Sequence, residues 1–137
     1  MFVFLFAFGV FFVHNKKGLF SVFFQKDYTL VKEHGRDVLM PVHHDKTLIF
    51  LHGAANTTAM YHSLFLSDFS PVCEHTKIVL PQAPMNLITF SKSSVKMPSW
   101  YDILTEDRKN KPAGEVFNLK DVQKSAESIH KILDDER

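Results

Sequence analysis

Two short apolar runs constrain the fold of this 137-residue chain more than any other feature. Thr47-Leu48-Ile49-Phe50-Leu51 and Lys77-Ile78-Val79-Leu80 are β-rich and unbroken, and they are closed by His52-Gly53 and by Pro81. A strand with one wet face alternates apolar and polar residues, whereas an unbroken apolar strand is buried on both faces. Between the runs, residues 57–69 read as a helix. Asn56 or Thr57 is its candidate cap, and Met60, Tyr61, Leu64 and Phe65 form its apolar face. Strand, helix, strand is a parallel crossover. The expected class is therefore α/β, and the hairpin described next makes the sheet mixed.

Ahead of the first run, Tyr28-Thr29-Leu30-Val31 and Val38-Leu39-Met40-Pro41-Val42 flank the turn His34-Gly35-Arg36-Asp37. They predict an antiparallel hairpin. Pro41 has no N–H for a ladder, so the second of these strands is expected near a sheet edge. After the second run, residues 81–102 carry two Pro-containing turns and no sustained period. They predict a long loop with short pieces of structure. Residues 106–114 are charged and polar, and belong on the surface. Leu119, Val122, Ala126, Ile129 and Leu133 recur at spacings of 3, 4, 3 and 4. That pattern predicts an amphipathic helix with Asn118 as N-cap and Asp121 favouring its first turn. Two central strands leave faces and edges that need more chain to cover them. Residues 25–137 thus read as an unfinished α/β domain.

Residues 1–24 differ from the rest. They hold nine of the 14 phenylalanines, and residues 1–13 are almost wholly apolar. The run ends at His14-Asn15-Lys16-Lys17-Gly18, short of the roughly 20 residues of a bilayer span. It also lacks a basic start and a small-x-small cleavage site. Three readings stand: an imperfect signal or anchor, an interfacial segment that meets lipid, or mistranslated sequence upstream of the true start.

Charge and cysteine content exclude several classes. The net charge is +1 with both signs mixed along the chain, so no nucleic-acid partner is expected. The lone Cys73 makes no internal disulfide, and a free Cys is ordinarily a small buried hydrophobe even with His75 close by in sequence. His43 and His44 are adjacent, and neighbouring residues on a strand point to opposite faces, so no metal site is expected. With no P-loop, dinucleotide fingerprint or CxxC in the sequence, no cofactor is expected either.

The chemistry-bearing feature is Leu51-His52-Gly53-Ala54-Ala55-Asn56-Thr57, which leaves a buried strand and opens a helix. Ligands of open α/β sheets bind beyond the carboxyl ends of the strands. A glycine there lets the backbone turn sharply and present N–H groups, which stabilise an oxyanion. The plain alternative is a tight turn carrying a structural His52.

Residues 48–136 resemble the acyl-protein thioesterase and carboxylesterase family of α/β-hydrolases. Leu48-Ile49-Phe50-Leu51-His52-Gly53 resembles the family's third strand and oxyanion turn. Lys77-Ile78-Val79-Leu80-Pro81-Gln82-Ala83-Pro84 resembles the next strand and its Pro-x-Ala-Pro ending. Met97-Pro98-Ser99-Trp100-Tyr101-Asp102 resembles the family's Met-Pro-Ser-Trp-Phe-Asp tract. Ser125-Ala126-Glu127-Ser128-Ile129 resembles the helix before the nucleophile strand.

The resemblance implies hydrolysis of carboxylic esters and thioesters, including palmitoyl-cysteine and lysophospholipids. It implies an acylated protein or lipid ester as substrate. It places the Ala54 N–H in the oxyanion hole, with His52 and Gly53 supporting the turn. Trp100 and Asp102 match positions near the substrate groove, although Trp100 also reads as core. Leu87, Ile88, Phe90 and Val95 lie in a loop that walls the acyl channel. Two positions depart from the family's His-Gly-x-Gly-Asp, which here reads Ala55 and Asn56 at its end.

The family's nucleophile is the Ser of Gly-x-Ser-x-Gly, with Asp and His following. None of the glycines at 9, 18, 35, 53 and 114 opens that motif. No catalytic residue is therefore expected within the chain, and all three triad members are expected downstream of Arg137. The expectation is an incomplete α/β-hydrolase fold, truncated before its triad and inactive alone. The alternative is a non-catalytic fragment that binds an acyl chain or a partner. A weaker one is a regulatory fragment pairing its sheet edge with a full-length relative. The resemblance implies a cytoplasmic location, while residues 1–24 leave membrane contact or secretion open.

Overall fold

The computed structural model describes residues 10–14 as backbone, and residues 28–67, 75–91 and 95–137. The rest of the Phe-rich segment, Phe69 at the expected helix end and Cys73 lie outside the described residues. The chain divides into two compact units: residues 1–52 with 57–82, and residues 53–56 with 83–137.

The first unit is a five-stranded mixed sheet with one helix. Its strands are β1 (Val10–His14), β2 (Tyr28–Glu33), β3 (Arg36–Pro41), β4 (Lys46–Phe50) and β5 (Thr76–Leu80), and α1 spans Ala59–Ser67. The order across the sheet is β1-β4-β5-β3-β2. Among the described strands only β4 and β5 are parallel, as the α1 crossover requires.

The β2–β3 hairpin forms as expected, and its turn explains its register. His34 and Gly35 both have positive φ, 49° and 77°. Positive φ at both central residues is what a type I′ turn demands, and that turn matches the twist of the flanking strands. It sets Glu33 opposite Arg36 and Lys32 opposite Asp37. Both are opposite-charge cross-strand pairs. Pro41 is expected to put β3 near an edge, and β3 lies one strand in from it, between the edge strand β2 and β5. Its ladder to β5 uses Asp37, Val38 and Leu39, so Pro41 falls beyond it and forfeits no bond there.

The apolar runs are buried on both faces. Leu39, Leu48, Ile78 and Leu80 pack with Phe65 of α1, and Tyr28, Phe50 and Tyr61 flank them. The Phe50 ring meets Phe65 edge-on at 5.1 Å and Tyr61 at 4.7 Å. Val38, Ile49 and Val79, alternating with these, are equally buried. Each such side chain contributes about 1.5–3 kcal/mol.

Helix α1 differs from its expected face. Tyr61 and Phe65, one turn apart, point to the core, whereas Met60 is 60% exposed. One residue turns a helix by about 100°, so Met60 cannot share their line. The residue before α1 is Thr58, not Asn56 or Thr57, and its hydroxyl donates to Asp37.

The second unit starts with β6 (Met85–Leu87) and β7 (Lys96–Pro98), an antiparallel pair, with a 3-10 turn at Thr89–Ser91 between them. The expected loop with short structure is thus found. A four-residue helix, α2 (Ala113–Val116), precedes α3 (Leu119–Asp135). Residues 102–104 are clasped on both sides. Leu104 N–H donates to Val116 C=O, Asn118 N–H to Asp102 C=O, and Phe90 N–H to Ile103 C=O.

Helix α3 has the expected cap: Asn118 accepts from the Lys120 N–H at 3.1 Å, and Asp121 sits in the first turn. Its buried line, however, is Ser125 and Ile132, with Val122, Ile129 and Leu133 half-buried, while Ala126 and Leu119 are exposed. Ser125 is drawn inward because its hydroxyl donates to the Trp100 carbonyl. Among the described residues no helix is long and apolar enough to cross a membrane.

Candidate active-site turn

A polar network occupies the first unit where β4 ends and α1 begins. His52, just past β4, is 2% exposed. Its Nε2 lies 2.9 Å from Gln82 Nε2. The other end of that amide, Gln82 Oε1, accepts the Thr58 N–H at 3.0 Å. The Thr58 hydroxyl donates to Asp37 Oδ2 at 2.5 Å, and His62 Nε2 lies 3.2 Å from the same oxygen. Asp37 Oδ1 pairs with Lys32.

Burial pushes the Asp37 carboxyl up. The hydrogen bonds from Lys32 and Thr58 and the charges of Lys32 and His62 outweigh it and hold the group below its ordinary value. Asp37 is thus a stable carboxylate, 7% exposed and fully engaged. It is built to hold structure, not to exchange protons.

The turn itself, residues 53–56, belongs to the second unit. Ala55 has φ of 63°, the left-handed region that favours glycine. Its N–H donates to the Pro98 carbonyl of β7 at 2.8 Å, and the Asn56 N–H closes back on the Gly53 carbonyl at 3.3 Å. Ala54 is exposed, and among the described residues no acceptor takes its N–H. The backbone therefore bends at Ala55 and leaves the preceding amide available.

The structure distributes the candidate groove residues unequally. Ile88 is 1% exposed, whereas Leu87 is 46% exposed and Phe90 is half-buried. Val95 is also exposed. Trp100 is half-buried and its carbonyl is taken by Ser125. Both carboxylate oxygens of Asp102 are taken by Thr89, from its N–H at 2.7 Å and its hydroxyl at 2.6 Å. Asp102 thereby caps the 3-10 turn. Just past the end of α3, the exposed Arg137 guanidinium pairs with Asp134 Oδ1 at 3.1 Å, and the Arg137 N–H closes on the Asp134 carbonyl. Among the described residues no group of three or more His, Cys, Asp or Glu could hold a metal ion.

With this geometry in place, comparison with known proteins decides the family. The phospholipase/carboxylesterase family model matches residues 38–137. The chain belongs to this family. Acyl-protein thioesterase 1 of Mycosarcoma maydis is 35% identical over 89 residues, covering 64% of this chain and 35% of that protein. Acyl-protein thioesterase 1 of Schizosaccharomyces pombe is 30% identical over 96 residues, covering 69% and 39%. The enzyme of the same name from Yarrowia lipolytica is 35% identical over 63 residues, covering 44% and 26%. The matched stretch thus spans between 26% and 39% of the length of these relatives. As a member of the phospholipase/carboxylesterase family it has the α/β class read from its sequence.

Sequence reasoning singled out His52, Gly53 and Ala54 but missed the chain of residues that leads on from the His52 ring: Gln82, Thr58, Asp37 and His62. The charge pattern held one signal. A two-residue turn at His34-Gly35 places Lys32 opposite Asp37, which would have marked that carboxylate as paired. Gln82 carried no such signal.

Proposed function

We propose that this chain supplies the oxyanion turn of a carboxylic ester or thioester hydrolase, with the Ala54 N–H as one donor to the tetrahedral intermediate. The observation that carries the reading is the bend at Ala55, beside an exposed Ala54 whose N–H meets no acceptor among the described residues. An N–H already satisfied within the chain would have to give up a bond before it could stabilise an oxyanion. The family membership and the thioesterase names of the relatives support the substrate class: acylated proteins or lipid esters.

These 137 residues contain no Gly-x-Ser-x-Gly. On this reading the nucleophile and its partners come from sequence downstream of Arg137, the fold of residues 25–137 is the N-terminal part of an α/β-hydrolase, and this stretch alone does not turn over ester. The test joins intact mass to chemistry. The native product is isolated, weighed and treated with a fluorophosphonate probe. A species heavier than 15.8 kDa that the probe labels on a serine, and that hydrolyses palmitoyl thioesters, supports the reading. Turnover by residues 1–137 alone would contradict it.

A second reading has its own observation. Met85 and Leu87 on β6 and Val95 beside β7 are exposed apolar residues of one short hairpin. A non-catalytic role in holding an acyl chain uses that surface. Saturable displacement of a fluorescent fatty acid from a probe-unreactive native protein supports it, and absence of binding removes it.

A further inference from the structure

We propose that Gln82 is a positioning residue whose amide holds His52 as the neutral Nδ1–H tautomer and joins the end of β4 to the start of α1. The assignment follows from what each group can donate. A backbone N–H only donates, so the atom facing Thr58 N at 3.0 Å must be the amide oxygen. The other end of the amide is then NH2, which also only donates. It lies 2.9 Å from His52 Nε2, so that nitrogen must offer a lone pair. A neutral imidazole with a lone pair on Nε2 carries its proton on Nδ1.

Amide orientation and imidazole tautomer are ordinarily separate unknowns. Here one backbone N–H settles both. His52 is the last residue before the turn at 53–56, and Thr58 lies two residues beyond it. One side chain therefore holds both stems of that turn. A His52 whose Nε2 must accept cannot also deliver a proton from that atom. The geometry assigns it to holding the backbone rather than to acid–base chemistry. Gln82 owes this effect to being an amide: a carboxylate there would accept from Thr58 but could not donate to His52.

The part of this inference that concerns oxyanion geometry rests on the proposed function; the tautomer does not. The experiment is nitrogen NMR of the natural full chain labelled with 15N-histidine, at neutral pH, with His52 assigned through His52→Asn. The expected spectrum shows Nε2 of His52 at the unprotonated shift and Nδ1 at the protonated one. Gln82→Glu replaces the donor by an acceptor, and is expected to move a proton onto Nε2. A protonated Nε2 in the wild-type protein overturns the proposal, without reference to any variant. So does a tautomer unchanged in a folded Gln82→Glu protein. If the tautomer is as expected and the native protein hydrolyses no ester, the clamp stands and the functional reading falls. If ester is hydrolysed and Nε2 bears the proton, the clamp alone falls.

Discussion

The Thr58 hydroxyl donates to Asp37 Oδ2 at 2.5 Å, so the start of α1 is fastened to a buried carboxylate on β3. The two residues lie 21 positions apart, and His62 and Lys32 meet the same carboxylate. Removing it leaves several polar groups without their partner. Asp37→Ala is expected to lower the free energy of unfolding by about 1–3 kcal/mol at pH 7. Urea denaturation with an unchanged slope checks this. A loss under about 0.5 kcal/mol, the size of an ordinary surface substitution, would mean that the network is not tight in solution.

The same carboxylate sets a pH dependence. Its value in the folded protein is lowered, so its stabilising effect is fully present above the ordinary unfolded value of about 3.9 and fades as pH falls through the folded value. Wild-type protein should lose stability over that acid window, and Asp37→Asn should lose less over the same window. Melting temperatures of both proteins between pH 7 and pH 3 decide it. Parallel curves would show that Asp37 is not the group responsible.

Ala55 gives a prediction of opposite sign. A left-handed alanine costs about 1–2 kcal/mol, and glycine removes that strain while adding roughly 0.4–1 kcal/mol of unfolded-state freedom. Ala55→Gly is therefore expected to stabilise the protein by about 0.5–1 kcal/mol, and Ala55→Val to destabilise it. A glycine variant less stable than wild type would show that Ala55 does not hold this conformation.

Much of the fold was legible because burial on both faces writes itself directly into a strand. The runs around Ile49 and Val79 have no polar alternate, and both are central. The hairpin was legible from His34-Gly35. What the sequence hid were positions fixed by partners far along the chain. Ser125 looks like the polar side of α3 until its hydroxyl is seen to reach Trp100. Asp102 reads as a groove carboxylate until Thr89 is seen to occupy both its oxygens. At the candidate site, periodicity located the turn but not Gln82, because a side chain bridging two loops leaves no local pattern.

Asp102 supplies the last prediction. Its two bonds to Thr89 cap a 3-10 turn, and its own N–H and C=O reach Asp121 and Asn118. If the side chain is spent on that turn, Asp102→Asn keeps one acceptor and should cost about 0.5–1.5 kcal/mol, the net worth of one hydrogen bond. Thr89→Val keeps the backbone donor and should cost a similar amount. The double variant should then cost less than the sum of the two, since the contacts are shared. A double-mutant cycle by urea denaturation reads that coupling directly. Additive losses would separate Asp102 from Thr89 and return its carboxylate to the groups available to a substrate.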